Sequence, residues 1–398
     1  MPRIRTIDDL APGGKRAVVR VDLNVPVENG EVRDTTRIDR IVPGLRELLK
    51  AGAALILLAH FERPGGKVVP GMSLRVVVPA LAKALGLDVG FIATDWRDGA
   101  APRAAAAAQP GHVLLMENTR FHPGEEANDK EFAKLLASLG EIYINDAFSA
   151  AHRAHASTEG IAHFLPSAAG RSMQAELGAL ERALEKPVRP LTAIVGGAKV
   201  SSKLDLLANL IAKVDTLIIG GAMANTFLAS EGANVGKSLY EPDLLATARR
   251  IMNDAKAGNC TLLLPADASL ASELKANVSS RLAILDDVRS DEMILDIGPD
   301  TIAAVNSVLD RSATLVWNGP FGAFEVKPFD RGTLAVARHA AELTRRGALV
   351  SIAGGGDTVA ALNEAGVAQD LTYVSTAGGA FLEWLEGKTL PGVKVLQS

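Results

Sequence analysis

A chain of 398 residues is too long for one ordinary hydrophobic core, so two domains are expected. Hydrophobic residues at 48% and charged residues at 22% are ordinary globular usage, and a formal net charge of −4 argues against a general nucleic-acid binder, which would carry a basic face. One cysteine, Cys260, excludes an internal disulfide and any cysteine-built zinc or iron–sulfur site, and it favours a reducing compartment.

The first ten residues include Asp8 and Asp9 and hold no apolar core of a signal peptide. The longest apolar run, residues 53–59, is far shorter than a membrane span. A cytoplasmic protein with no membrane or nucleic-acid partner is therefore expected.

In chain order, apolar runs at 17–21, 54–59, 113–116 and 142–144 alternate with helix-like segments at 37–50, 74–85 and 129–139. An alanine tract at 104–108, between Pro102 and Pro110, reads as helical or loop filler between strands. A helix-like stretch at 172–185 is followed by 186–190 with two prolines, which reads as an interdomain helix and the entry to a second domain. Further apolar runs follow at 191–195, 216–219, 261–264, 283–285, 314–317 and 349–353, again separated by helical patterns. Continuous apolar strands alternating with helices predict buried parallel sheets with helices on both faces, and ligand sites at the carboxyl ends of the strands. The expected fold class is α/β, with two Rossmann-like domains, each a mostly parallel sheet covered by helices, joined by a hinge helix. Residues 1–171 form the first domain, 172–190 the hinge and 191–380 the second domain.

In the second half, glycine stops the chain just after an apolar run at several places: GGAKVSSK at 196–203, GGAMANTF at 220–227, NGPFGAFE at 318–325 and GGGDT at 354–358. STAGGAF follows at 375–381. Glycine admits close approach of backbone to a ligand, and a helix opening there points N–H groups and partial positive charge at it, which suits phosphate. Asp357 makes sense as a magnesium ligand, since magnesium takes carboxylate and phosphate oxygens together. Thr358 offers a hydroxyl to a phosphate oxygen. Lys199 and Lys203 stand four apart, on one face if a helix begins near them. The segment GANVGKS at 232–238 imitates a P-loop but has three residues between its glycines where four are needed, and it follows a helix pattern. No dinucleotide fingerprint follows a strand, which weakens a nicotinamide dehydrogenase.

The first half is basic where its strands end. Asp22 and Asn24 lie in RVDLNVP, Arg37 in TTRI, His60 and Arg63 in AHFERP, Arg120 in ENTRF and Arg153 in HRAH. Four arginines and a histidine around one crevice would bind a small, highly anionic molecule, because the guanidinium fork matches carboxylate and phosphate. Asp22 and Asn24 could hold its hydroxyl. His152 and His155 lack the partners of a zinc site.

Taken in order, RVDLNVP, TTRI, AHFERP, ENTRFHPGEE, AHRAHAS, GGAKVSSKL, GGAMANTFL, DIGPDT, VWNGPFGAFE, GGGDTVAA and STAGGAFLEWLEGK resemble the phosphoglycerate kinases over nearly the whole chain. The resemblance implies that the first domain binds 3-phosphoglycerate or 1,3-bisphosphoglycerate through Asp22, Asn24, Arg37, His60, Arg63, Arg120 and Arg153. It implies that the second binds Mg-ADP or Mg-ATP. Lys203 and Gly354, Gly355, Gly356 and Thr358 would hold phosphates, Asp357 magnesium and Glu325 the ribose. Gly196, Gly197, Gly220, Gly221, Ile294 and Asn318 would complete the nucleotide site. It also implies a monomer whose last residues, 381–398, return to the first domain.

Three departures stand out. The family's usual HLGRP is HFERP here, so Glu62 puts a negative charge beside an anion pocket and weakens affinity unless it points outward or pairs with an arginine. Ala377 replaces the first of three glycines, removing backbone freedom near the transferring group. Ile294 replaces a smaller residue and narrows the adenine pocket.

The implied nucleophile, a carboxylate, is already ionised at neutral pH, so no general base is required. Positioning and positive charge from Arg37, Lys199, magnesium and N–H groups near Gly355 and Gly378 would carry catalysis. Closure about residues 172–190 would exclude water. The rival reading is a nucleotide-binding protein of this fold without turnover, which would have eroded Arg37, Lys199, Lys203 or Asp357; all four are present.

Overall fold

The computed structural model describes residues 3–397. The chain divides into two compact units, one running to Leu177 and taking in the segment from Thr389, the other spanning Gly178–Lys388.

The first unit is built on six strands: β1 Arg16–Arg20, β2 Ala54–Leu58, β3 Gly90–Ile92, β4 Val113–Met116, β5 Ile142–Asn145 and β6 Ser167–Ala169. They pair in the order β3-β4-β2-β1-β5-β6, all parallel. Its principal helices are α1 Thr36–Lys50, α2 Val78–Leu85, α3 Ala100–Ala107 and α4 Lys130–Ala137. Alternation along the strands sorts the core into two layers. Ala17, Val19, Leu55 and Leu57 face one way and pack with Ile38, Ile41, Leu45 and Leu48 of α1 and Leu81 and Leu85 of α2. Val18, Ile56, Leu58 and Met116 face the other way, onto Ala101 and Ala105 of α3 and Phe132 and Leu136 of α4. Each fully buried leucine contributes roughly 2 kcal/mol of transfer free energy.

Helix α1 begins where Asp34 accepts the Thr36 N–H at 2.8 Å, and its apolar residues 38, 41, 45 and 48 recur at helical spacing. That start fixes Arg37 in the first turn. Helix α5, Arg171–Leu180, opens against Asp146, which follows β5 and accepts the Met173 N–H at 2.9 Å. Burial pushes the Asp146 carboxyl up to about 7, while those N–H groups oppose the rise.

The second unit holds β7 Leu191–Val195, β8 Thr216–Ile219 and β9 Thr261–Leu263. A separate group follows, β10 Asp267–Ala271, β11 Arg281–Ile284 and β12 Met293–Ile297, and then β13 Thr314–Asn318, β14 Val350–Gly354 and β15 Tyr373–Ser375. The large sheet is parallel in the order β9-β8-β7-β13-β14-β15. Its helices include α6 Leu204–Ile211, α7 Ala222–Ser230, α8 Leu245–Ala257, α9 Pro299–Leu309, α10 Arg331–Arg345, α11 Gly356–Glu364 and α12 Gly378–Leu385.

The run at 283–285 does not belong to that parallel sheet. It falls at the end of β11, in a three-stranded antiparallel sheet ordered β11-β10-β12. A short apolar run specifies a strand but not its partner, which explains the difference. In both large sheets the strand order reverses in the middle, beside β1 and β7, and the loops after those strands and their neighbours carry the candidate residues.

Candidate active site

The first unit has a crevice with a volume of about 450 Å³, lined by Asn24, His60, Arg63, Arg120 and Arg153 among others. Five of the seven residues expected there thus face one cavity. The remaining two are bonded to its wall. Arg37 Nη1 donates to Asp22 Oδ1 at 3.1 Å and to the Asn24 carbonyl at 3.0 Å. Asp22 also accepts the Ser149 hydroxyl at 2.6 Å and the Asn24 N–H at 3.0 Å, so its carboxylate organises the floor.

The positive charge of this crevice resides on arginine. Arg63 and Arg153 are exposed. Arg120 is held by Glu126 at 3.2 Å and donates to the Glu62 carbonyl at 2.9 Å. Burial draws its pKa down, with Glu126 opposing. Burial, then the guanidinium groups of Arg20 and Arg120, push His60 well below the ordinary histidine range. The same causes, burial first, bring His155 to about 4. Both rings are neutral at pH 7.

Several wall residues were missed in the sequence: Glu126, Ser149 and, behind His60, the fully buried Arg20, Glu125 and Ser157. A signal existed for Arg20. It is a charged residue inside the apolar run 17–21, which makes sense only if paired in the interior.

In the second unit the loops after β7, β13 and β14 meet on one lysine. Lys203 Nζ donates to the Gly196 carbonyl and to Asn318 Oδ1, both at 2.6 Å. Asn318 Nδ2 donates to the Gly354 carbonyl at 2.9 Å, and the Gly319 N–H donates to Thr358 Oγ1 at 2.7 Å. Burial lowers Lys203 to about 8, against the opposing pull of Asp357 and Glu386.

Two glycines are required by close approach. A Cβ on Gly221, at φ 68°, would lie 2.6 Å from the backbone of Gly197. One on Gly355, at φ 99°, would lie 2.7 Å from Asn318 Nδ2. Gly196 and Gly220 likewise pack against the loop after β13, at Pro320 and Phe321. Gly356 and Asp357 are exposed in the first turn of α11, and Gly378 opens α12.

The two lysines do not share a helical face. Helix α6 starts only at Leu204, so Lys199 lies exposed in the preceding loop while Lys203 is turned inward. Glu325 is exposed, and Ile294 lies on β12 against Leu270 and Val288; neither bonds into the lysine network. A shallower depression of about 600 Å³ around Lys256 and Cys260 holds none of the expected residues. The P-loop imitation follows helix α7.

A family model described as phosphoglycerate kinase matches residues 7–388. The chain belongs to the phosphoglycerate kinase family. It is similar to the phosphoglycerate kinase of Methylorubrum populi, at 60% identity over 100% of both chains, and to that of a Ruegeria species, at 59% over 99% of both. Among solved structures it is similar to phosphoglycerate kinase from Coxiella burnetii, with a TM-score of 0.92, 42% identity and 99% of both chains covered. The enzyme of Pyrococcus horikoshii gives a TM-score of 0.83 at 26% identity, over 99% of this chain and 98% of the other. The chain is a phosphotransferase with a carboxyl group as acceptor and a nucleotide-using kinase. Among the described residues, no helix is long and apolar enough to cross a membrane.

Two of the three departures from the family pattern can be placed, Glu62, which lines the crevice, and Ala377. Glu62 sits at φ 54°, a left-handed backbone that glycine adopts freely. Its side chain is exposed, while its N–H donates to Asn24 Oδ1 at 3.0 Å. Ala377 sits at φ −92°, an angle open to any residue, so the expected loss of freedom does not arise.

Proposed function

We propose that the crevice of the first unit binds 3-phosphoglycerate or 1,3-bisphosphoglycerate and that the loops around Lys203 bind the polyphosphate of ADP or ATP. Arg63, Arg120 and Arg153 pair with phosphate and carboxylate oxygens. Asp22 and Asn24 take the substrate hydroxyl, and Arg37, bonded to both, pairs with the reacting carboxylate. Gly354, Gly355, Gly356 and Thr358 hold phosphate at the opening of α11, and Lys203 charges the same site. Gly196, Gly197, Gly220, Gly221, Ile294 and Asn318 wall the nucleotide, and Glu325 reaches its ribose.

Asp357 would hold magnesium. Among the described residues no three His, Cys, Asp or Glu side chains cluster as a metal cage, and one exposed carboxylate beside a phosphate site is the donor set magnesium accepts. The ion, when bound, would neutralise charge on the phosphate oxygens.

The substrate carboxylate attacks without a general base, and His60 and His155, held neutral in the wall, supply contacts instead of proton transfer. The remaining barrier is electrostatic. Exposed Lys199, Arg37 and the N–H groups near Gly355 and Gly378 stabilise the phosphoryl oxygens in flight.

The observations that support this reading are an arginine-lined crevice in the first unit and, in the second, glycine loops around a half-buried lysine. The test is a coupled assay with 3-phosphoglycerate, Mg-ATP, a 3-phosphoglyceraldehyde dehydrogenase and its reduced cofactor, run on wild type and Lys199→Ala. Turnover by wild type, cut about 10²–10³-fold in the variant, supports it. Equal turnover by both removes Lys199 from the mechanism. None by well-folded wild type revives the inactive binder.

A further inference from the structure

Behind the arginine crevice lies a charged network sealed from solvent. Arg20 is 1% exposed and Glu125, Ser157 and Thr119 are 0% exposed. Arg20 donates in three directions: Nε to Ser157 Oγ at 2.8 Å, Nη1 to the Val21 carbonyl at 2.6 Å and Nη2 to His60 Nδ1 at 2.9 Å. Ser157 passes the contact on to Glu125, through its hydroxyl at 2.5 Å and its N–H at 3.0 Å, and Thr119 Oγ1 donates to the same carboxylate at 3.2 Å. The guanidinium is thereby aimed as well as compensated.

A guanidinium has only donors. His60 Nδ1 must accept, which places the ring proton on Nε2. His60 lines the cavity, and with Nδ1 committed to the interior, Nε2 is the polar atom left for a ligand. We infer that Arg20 is a positioning residue that fixes His60 as the Nε2–H tautomer, so that the ring offers the anionic substrate a donor and never an acceptor. An imidazole in the other tautomer would turn a lone pair toward a carboxylate or phosphate oxygen and repel it. Lysine cannot replace Arg20, because one ammonium cannot reach Ser157, the Val21 carbonyl and His60 in these three directions at once.

The groups that act most strongly on His60 are Arg20 at the end of β1, Arg37 on α1, Arg120 after β4 and His155 after β5, while Glu62 and Glu126 line the same crevice, Glu126 paired with Arg120. The four arginine and histidine groups are cationic or neutral at pH 7, and with burial they disfavour a second proton on the ring.

The inference rests on the substrate reading of the crevice, and one experiment separates the two. The full-length chain is labelled with ¹⁵N and the His60 ring is assigned with His60→Gln. Long-range ¹H–¹⁵N correlation then reads the tautomer from pH 5.5 to 8. The expected result is Nε2–H throughout, with no titration. An Nδ1–H tautomer, or titration near the ordinary histidine value, overturns the inference in wild type alone, whether or not any variant folds.

In Arg20→Lys the tautomer should become mixed and KM for 3-phosphoglycerate should rise about tenfold, with kcat within about twofold, as for loss of one oriented hydrogen bond. A folded Arg20→Lys with the wild-type tautomer and KM also overturns it. Adding 3-phosphoglycerate should shift His60 Nε2. A fixed tautomer with no such shift leaves the Arg20 contact standing but strikes out the substrate contact, and with it the purpose inferred for Arg20.

Discussion

If Lys203 holds the nucleotide as proposed, affinity should depend on pH in a direction set by its ammonium. Its Nζ is buried among the Gly196 carbonyl and Asn318 Oδ1, and burial lowers its pKa from 10.5 to about 8. Unfolded, the group would titrate near 10.5, so the folded chain bears a cost for the charged form of about 3 kcal/mol below pH 8. Because the pKa is lowered, that cost fades as pH rises from 8 toward 10.5, and this group alone makes the ligand-free protein more stable in that window. Nucleotide binding runs the opposite way. A polyphosphate favours the ammonium and lifts its pKa, so binding above pH 8 takes up a proton. The apparent Kd should then be flat below pH 8 and rise about tenfold between pH 7 and pH 9. The last phosphate ionisation, at about pH 6–7, adds negative charge and strengthens binding as pH rises, so it does not imitate the loss. Calorimetric titration with ADP, in buffers of different ionisation enthalpy, reads both the Kd and the proton. Lys203→Met should bind more weakly at pH 7 and lose the slope. A wild-type Kd that stays flat to pH 9, or an equal slope in Lys203→Met, would refute the argument.

Asp22→Ala should raise KM for 3-phosphoglycerate about ten- to a hundredfold, because it releases Arg37 and Ser149 together; steady-state kinetics at fixed Mg-ATP reads it. Glu62→Gly should raise stability by about 0.5–1 kcal/mol by relieving a left-handed backbone at φ 54°, whereas Glu62→Ala should not; denaturant midpoints separate them. The expected closure about residues 172–190 predicts, by small-angle scattering, a smaller radius of gyration with both substrates than with either alone, and an unchanged value would count against that hinge.

Much of this was legible in the sequence because burial on both sheet faces leaves a strong trace. The runs at 113–116, 191–195 and 216–219 are strands with those same bounds. The candidate ligands were legible for a related reason: they are polar residues placed just where an apolar run stops. What escaped was whatever depends on a partner far along the chain. The Arg20–Ser157 bond spans 137 residues and the Lys203–Asn318 bond 115, and no local pattern announces either. Strands β10 and β12 escaped because their partners, not their composition, define the antiparallel sheet, and β10 is interrupted by Asp267 and Ser269. The lysine pair misled because four-residue spacing means a shared face only inside a helix, and α6 begins at Leu204, after both lysines.

On the proposed reading the two sites solve the same problem, binding a polyanion at the carboxyl ends of parallel strands, with different chemistry, and the difference has a consequence. In the first unit the charge is on guanidinium groups, which do not deprotonate at any working pH, and the histidines beside them are already neutral. In the second it is on a buried ammonium poised at about 8, helped by backbone N–H groups that cannot titrate. Affinity for the phosphoglycerate should therefore be insensitive to pH across the alkaline range in which affinity for the nucleotide declines. Where the arginine crevice is part-buried a guanidinium meets acceptors, as Arg37 meets Asp22 and the Asn24 carbonyl, while Arg63 and Arg153 stay exposed. The lysine bonds directly only to carbonyl and amide oxygens, and the pull of Asp357 and Glu386 does not offset its burial, so its ammonium is under-compensated until phosphate arrives. That shortfall gives the nucleotide's own charge the larger share in completing its site.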